Sequence, residues 1–157
     1  MLTIWLGFLF KNNHNDVEEI KKESLKYFII NEKITDNKFN NRKDLKYVKI
    51  LYNQNINSIG KFAFSKCDKL KTIIIPNSIK SIGYYAFHEC FELNSVVFSN
   101  ESSLILISDG SFSCCNNLES ISIPKSVKLI ESRAFYKCFN LKSVIFLNES
   151  SLMHIGN

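Results

Sequence analysis

The sequence predicts an α/β solenoid, a stack of short similar units that share one core. Three observations carry this. Leu45, Leu70, Leu93, Leu118 and Leu141 open segments with one apolar template, at intervals of 25, 23, 25 and 23 residues. Each segment begins L-x-x-I-x-I, whose alternating branched residues are the pattern of a short strand. The fuller copies continue to I-x-x-x-A-F-x-x-C. A unit of this size cannot bury its own apolar side, so neighbours must stack and merge their interiors.

The template is explicit when two copies are laid side by side. In 70–92 its apolar posts are Leu70, Ile73, Ile75, Ile79, Ile82, Ala86, Phe87 and Cys90. In 118–140 they are Leu118, Ile121, Ile123, Val127, Ile130, Ala134, Phe135 and Cys138. Unit 45–69 keeps the same posts to Cys67, and unit 93–117 puts Ser111 where alanine is expected. The two-residue length difference lies in the arm after the strand, short in "IPNSI" and "IPKSV", long in "FSNESSL" and "FLNESSL". That alternation marks duplication of a 48-residue double unit. A degenerate copy occupies 25–44, with Leu25, Phe28, Ile30, Ile34 and Phe39 on the template, and an incomplete one occupies 141–157.

Each unit is expected to supply one short strand to a parallel sheet on one side. Pro76 and Pro124 follow their strands directly, where a missing N–H ends the pairing at little cost. The I-x-x-x-A-F-x-x-C segment is too short for a long helix and reads as turns or a short helical piece on the opposite side. Residues 1–24 form an N-terminal segment. Within it Asp16 and Glu19 have helix-start spacing and Glu18–Lys22 an i,i+4 pair, so a short helix capping the first rung is expected. The apolar run before it ends at Phe10, far short of the ~18–20 residues that span a bilayer. It lacks the basic flank and small-residue cleavage site of a secretory signal, and reads as a terminus packed on the domain or a mis-assigned start, with a secretory signal as the lesser alternative.

Composition narrows the function classes. Apolar residues make up 45% of 157, enough for one packed domain. The net charge of +5 is spread out, with no Lys/Arg run longer than two, whereas a nucleic-acid binder gathers its cations into a stripe or arm. No membrane span and no nucleic-acid partner are expected. Phosphate-loop, nucleophile-elbow and zinc-protease motifs are absent from the sequence. His14, His88 and His154 share no spacing, so no metal, cofactor or enzymatic activity is expected. Cys67, Cys90, Cys115 and Cys138 recur once per unit in an apolar slot. They read as small buried hydrophobes in preference to a disulfide or metal ladder, with the extra Cys114 facing outward. Asn100–Ser102 and Asn148–Ser150 are turn residues, or glycan acceptors if the chain is secreted.

The combination L-x-x-I-x-I-P-x-S-[IV]-x-x-I-G-x-x-A-F-x-x-C, best seen in "IPNSIKSIGYYAFHECFEL" at 75–93, resembles the leucine-rich repeats of BspA-like proteins. The resemblance covers 45–157 well and 25–44 weakly. It departs at Glu131, where glycine is usual, and at "DGSFSCC". It implies a right-handed solenoid with a strand-lined face and, for several relatives, surface proteins of bacteria and protists that adhere to host or matrix proteins.

If the leucine and two isoleucines of L-x-x-I-x-I point inward, the second, third and fifth letters point out. Those are Lys71, Thr72 and Ile74; Asn94, Ser95 and Val97; Glu119, Ser120 and Ser122; Lys142, Ser143 and Ile145, with Lys46, Tyr47 and Lys49 one rung earlier. A sheet five rungs wide, about 20 Å, offers an extended surface to a protein or glycan partner. The expected function is recognition without catalysis, at a cell surface or secreted; the alternative is an intracellular scaffold. The last unit stops before its A-F-x-x-C segment. An open rung is therefore expected there, on a fragment, a truncated product or a chain that docks end to end.

Overall fold

The computed structural model describes residues 27–147 and 150–157. The expected capping helix lies outside them, as does Asn148. The described chain is a stack of rungs, each contributing to two parallel sheets. One sheet gathers the L-x-x-I-x-I segments: β1 (Phe28–Ile30), β2 (Tyr47–Ile50), β4 (Thr72–Ile75) and β6 (Ser95–Phe98), in that order. β8 (Ser120–Ile123) and β10 (Ser143–Phe146) continue the series as a separate pair.

The other sheet consists of two-residue strands that come after the arms. These are β3 (Ser58–Ile59), β5 (Ser81–Ile82), β7 (Leu106–Ile107), β9 (Leu129–Ile130) and β11 (His154–Ile155). They form one unbroken five-stranded sheet, and Ile34 extends it by a single bridge to Ile59. One strand per unit was expected, but the fuller rungs have two. The A-F-x-x-C segments that follow are turns, and no helix occurs among the described residues. A two-residue strand is too short to show a period of two, which is why its pattern was hidden.

The template residues meet in a single core. Leu45, Leu70, Leu93 and Leu118 are buried, with Val48, Ile73 and Ile121 behind them. Down the corner after each second strand, Phe39, Phe64, Phe87, Phe112 and Phe135 stack ring on ring. Their centroids are 5.0, 5.2, 5.1 and 5.6 Å apart, and the last four rings are within 5–6° of parallel. Ala63, Ala86 and Ala134, each just before its phenylalanine, are buried. The cysteine slot is also internal. The thiols of Cys67, Cys90, Cys115 and Cys138 donate to the carbonyls of Phe39, Phe64, Phe87 and Phe112 at 3.1–3.2 Å, each reaching back one rung.

The corner has a hydrogen-bond ladder of its own. In one rung the amides of Phe62, Phe64 and Lys66 donate to the carbonyls of Tyr84, Ala86 and His88 at 2.7–2.9 Å; the next rung repeats this from Tyr85, Phe87 and Glu89. The geometry requires two left-handed residues per corner, four positions apart. Phe62 and Lys66 (φ 53° and 61°), Tyr85 and Glu89 (52° and 59°), and Arg133 and Lys137 (55° and 56°) fill them without glycine.

Candidate partner-binding face

Along β4 the burial alternates as the template requires. Leu70, Ile73 and Ile75 are buried, while Lys71, Thr72 and Ile74 are half-exposed and share the outer face. One rung on, Asn94 and Val97 are exposed and Ser95 half-exposed. The register pairs Thr72 with Ser95 and Ile74 with Val97, so equal letters form rows across the sheet. Ile29 and Lys49 extend the row of fifth letters onto β1 and β2. Glu119, Ser120, Ser122, Lys142, Ser143 and Ile145 are all exposed, and Ser120–Ser143 and Ser122–Ile145 are register pairs.

The expected five-rung sheet is not continuous. β6 and β8 do not pair, so the candidate residues fall into two groups with a seam between Val97 and Ser122. The groups differ in chemistry. The first combines Lys46, Lys49 and Lys71 with Ile29, Ile74 and Val97. The second has three serines and a single aliphatic, Ile145, with Glu119 tied to Lys142 at 2.8 Å. At the margin Glu92 takes Lys69 at 2.9 Å and Lys71 at 3.7 Å, and the hydrogen bond from Lys69 holds its carboxyl below the usual range. Lys142 does the same to Glu119. These exposed pairs contribute little to stability; their effect is to hold side chains in rows.

A family model for the BspA type leucine rich repeat region matches residues 32–157 in six copies. The chain belongs to the BspA-type leucine-rich repeat family. Leucine-rich repeat proteins are in general protein-interaction scaffolds without catalysis. Among solved structures, a leucine rich repeat protein of T. pallidum is 31% identical over 75% of this chain and 57% of its own, with a TM-score of 0.69. The pneumococcal vaccine antigen PcpA is 30% identical over 80% of this chain and 31% of its own, with a TM-score of 0.74. A leucine-rich repeat protein from Bacteroides ovatus is 28% identical over 83% of this chain and 39% of its own, with a TM-score of 0.64. The chain thus matches less than two thirds of the length of each. The search of curated proteins returned no match.

The departures from the BspA-type pattern have local reasons. Glu131, in the glycine slot, turns its carboxylate back to accept the Asp109 N–H at 2.9 Å. Gly110 stands at a left-handed position (φ 61°), and the Tyr85 ring occupies the space where a Cβ would lie, 2.7 Å from its nearest atom. Ser111 fits the alanine slot, but its buried hydroxyl has no partner.

One cluster was not anticipated from the sequence. His88 Nδ1 lies 2.7 Å from Ser113 Oγ and its Nε2 3.2 Å from Glu89 Oε1, with the Tyr85 ring edge-on at 4.7 Å. A serine, a histidine and a carboxylate in line suggest a nucleophile. Ser113 is only 1% exposed, however, so its hydroxyl cannot meet a substrate. Its role is to anchor the imidazole against the next rung. The signal was spacing: His88 and Ser113 occupy equal template slots 25 residues apart.

Among the described residues no group of three His, Cys, Asp or Glu can hold a metal ion, and no helix is long and apolar enough to cross a membrane. Cys114 is half-exposed beside the buried Cys115, and the cysteines are free thiols. The Ser102 and Ser150 hydroxyls accept the N–H two residues on, from Leu104 and Leu152, each at 3.3 Å. That is the turn chemistry expected of the long arms.

Proposed function

We propose that this chain is a non-catalytic recognition module that binds a protein partner, or a glycan, along the outer face of the L-x-x-I-x-I strands. The row Ile29, Lys49, Ile74, Val97, aliphatic at three of its four positions, carries the reading. Aliphatic side chains stand outward in register next to lysines and hydroxyls, where nothing in the core requires them. The adjacent pair Ile74 and Val97, rimmed by lysines and hydroxyls, suits an interface core and rim. With the family we infer a right-handed superhelix and placement at a cell surface or in the medium; the kinship with a vaccine antigen supports that placement. The other reading, an intracellular scaffold, uses the same face.

A photo-crosslinking residue at Val97, in cells that make the protein, is expected to capture a partner that Ile74→Asp abolishes while circular dichroism stays unchanged. The same residue at Lys128, exposed just before β9 of the second sheet, is expected to capture none. Equal capture from both positions, or indifference to Ile74→Asp, contradicts the assignment. Protease treatment of intact cells separates the two locations, since a scaffold stays whole until lysis.

A further inference from the structure

The seam between β6 and β8 opens one side of a junction whose other sides are closed. Between the same two rungs β7 pairs with β9, and Phe112 stacks on Phe135. The amides of Gly110, Phe112 and Cys114 donate to the carbonyls of Ser132, Ala134 and Tyr136 at 3.1, 2.8 and 2.8 Å. Only the strand face lacks its bonds. At other junctions the first strand amide reaches back a rung: Thr72 to Lys46 O at 3.3 Å, Ser95 to Lys71 O at 3.1 Å and Ser143 to Glu119 O at 3.4 Å. Among the described residues the matching bond from Ser120 to Asn94 O is missing. At the far strand end Ser99 and Leu147 donate to Ile75 and Ile123 at 3.0 and 3.3 Å. Pro124 holds the equivalent position at the seam and has no N–H.

The core registers the gap. Val96 and Phe98 are half-buried, whereas their counterparts Ile73, Ile75, Ile121 and Ile123 are buried. Pro76 has a milder effect: β2 and β4 share three register pairs, while β4–β6 and β8–β10 share four each. Each proline-bearing rung is therefore joined loosely to the rung before it and tightly to the rung after it. Unpaired backbone and a half-wet core lower the local cost of opening.

We propose that the β6–β8 seam is a hinge of the strand face. The two-rung block from Leu70 and the block from Leu118 tilt as rigid bodies. The second sheet and the stacked phenylalanines are the pivot, and the wedge between Val97 and Ser122 widens and narrows on the partner side.

Two measurements test it. In a Cys114→Ser background, nitroxide labels go on Lys46→Cys with Asn94→Cys, and on Asn94→Cys with Lys142→Cys. Both pairs span two rungs, about 10 Å at ~4.8 Å per strand, but only the second crosses the seam. Dipolar broadening is expected to give a narrow distance for the first pair and a broad one for the second; equal widths overturn the hinge. On the unmodified chain, amide exchange at Ser120 and Ser122 is expected to be at least about 100-fold faster than at Ser143 and Ile145. Equal protection overturns it independently of any effect of labelling on folding.

Discussion

Cys90 shows what one residue does in this fold. Its thiol fills an apolar slot, and its weak S–H still finds an acceptor, the Phe64 carbonyl at 3.1 Å. Serine in that slot would bury a more polar group, and valine would lose the bond to a carbonyl that also accepts the Cys67 N–H at 3.1 Å. Burial pushes the thiols of Cys67 and Cys138 up to about 11, and raises those of Cys90 and Cys115 well above the ordinary value. The reactive form is the thiolate, so these four are inert twice over, by access and by ionisation. Cys114 alone is half-exposed. Ellman's reagent at pH 8 is expected to titrate one thiol per native chain and all five in urea. Two or more fast native thiols would mean that the ladder is not closed.

At the scale of the element, the turn after each second strand is decided by how closely backbones approach. A Cβ on Gly83 would lie 2.8 Å from Gly60 C and Ile59 O, and one on Gly60 2.4 Å from Thr35 C. Backbone cannot swing aside as a side chain does, so Gly83→Ala must prise two rungs apart. It is expected to lower stability by roughly 1–3 kcal/mol, read as a shift in the urea midpoint. An unchanged midpoint would show that the rungs are not in contact there. Much at this scale was legible in the sequence. Phe64, Phe87 and Phe112 recur because one column in the core needs a large flat side chain, and a repeat displays such a need directly. The outward letters of β4 were legible too, since strand alternation separates the faces. The second strand was not, being two residues long. Nor were the left-handed positions, because Phe62, Tyr85 and Arg133 are held there by the corner ladder against their own preference. The seam was half-visible: Pro124 was read as ending a strand, but its second effect, a missing donor to the rung before, depends on pairing that only the stack reveals.

For the whole molecule, stability is shared between rungs. The stacked phenylalanines, the cysteine-to-carbonyl bonds, the corner ladder and the second sheet all run from rung to rung, and no unit encloses a core of its own. Such a solenoid gains or loses whole repeats without changing its architecture. The 48-residue double unit is the natural increment, because it carries one short arm, one long arm and one loose junction. Inserting a second copy of residues 93–140 directly after Asn140 keeps every template register. Small-angle scattering on that longer chain is expected to show a solenoid lengthened by two rungs, about 10 Å at ~4.8 Å per strand, with its cross-section unchanged. A separate lobe or an expanded chain at the added segment would contradict the shared core.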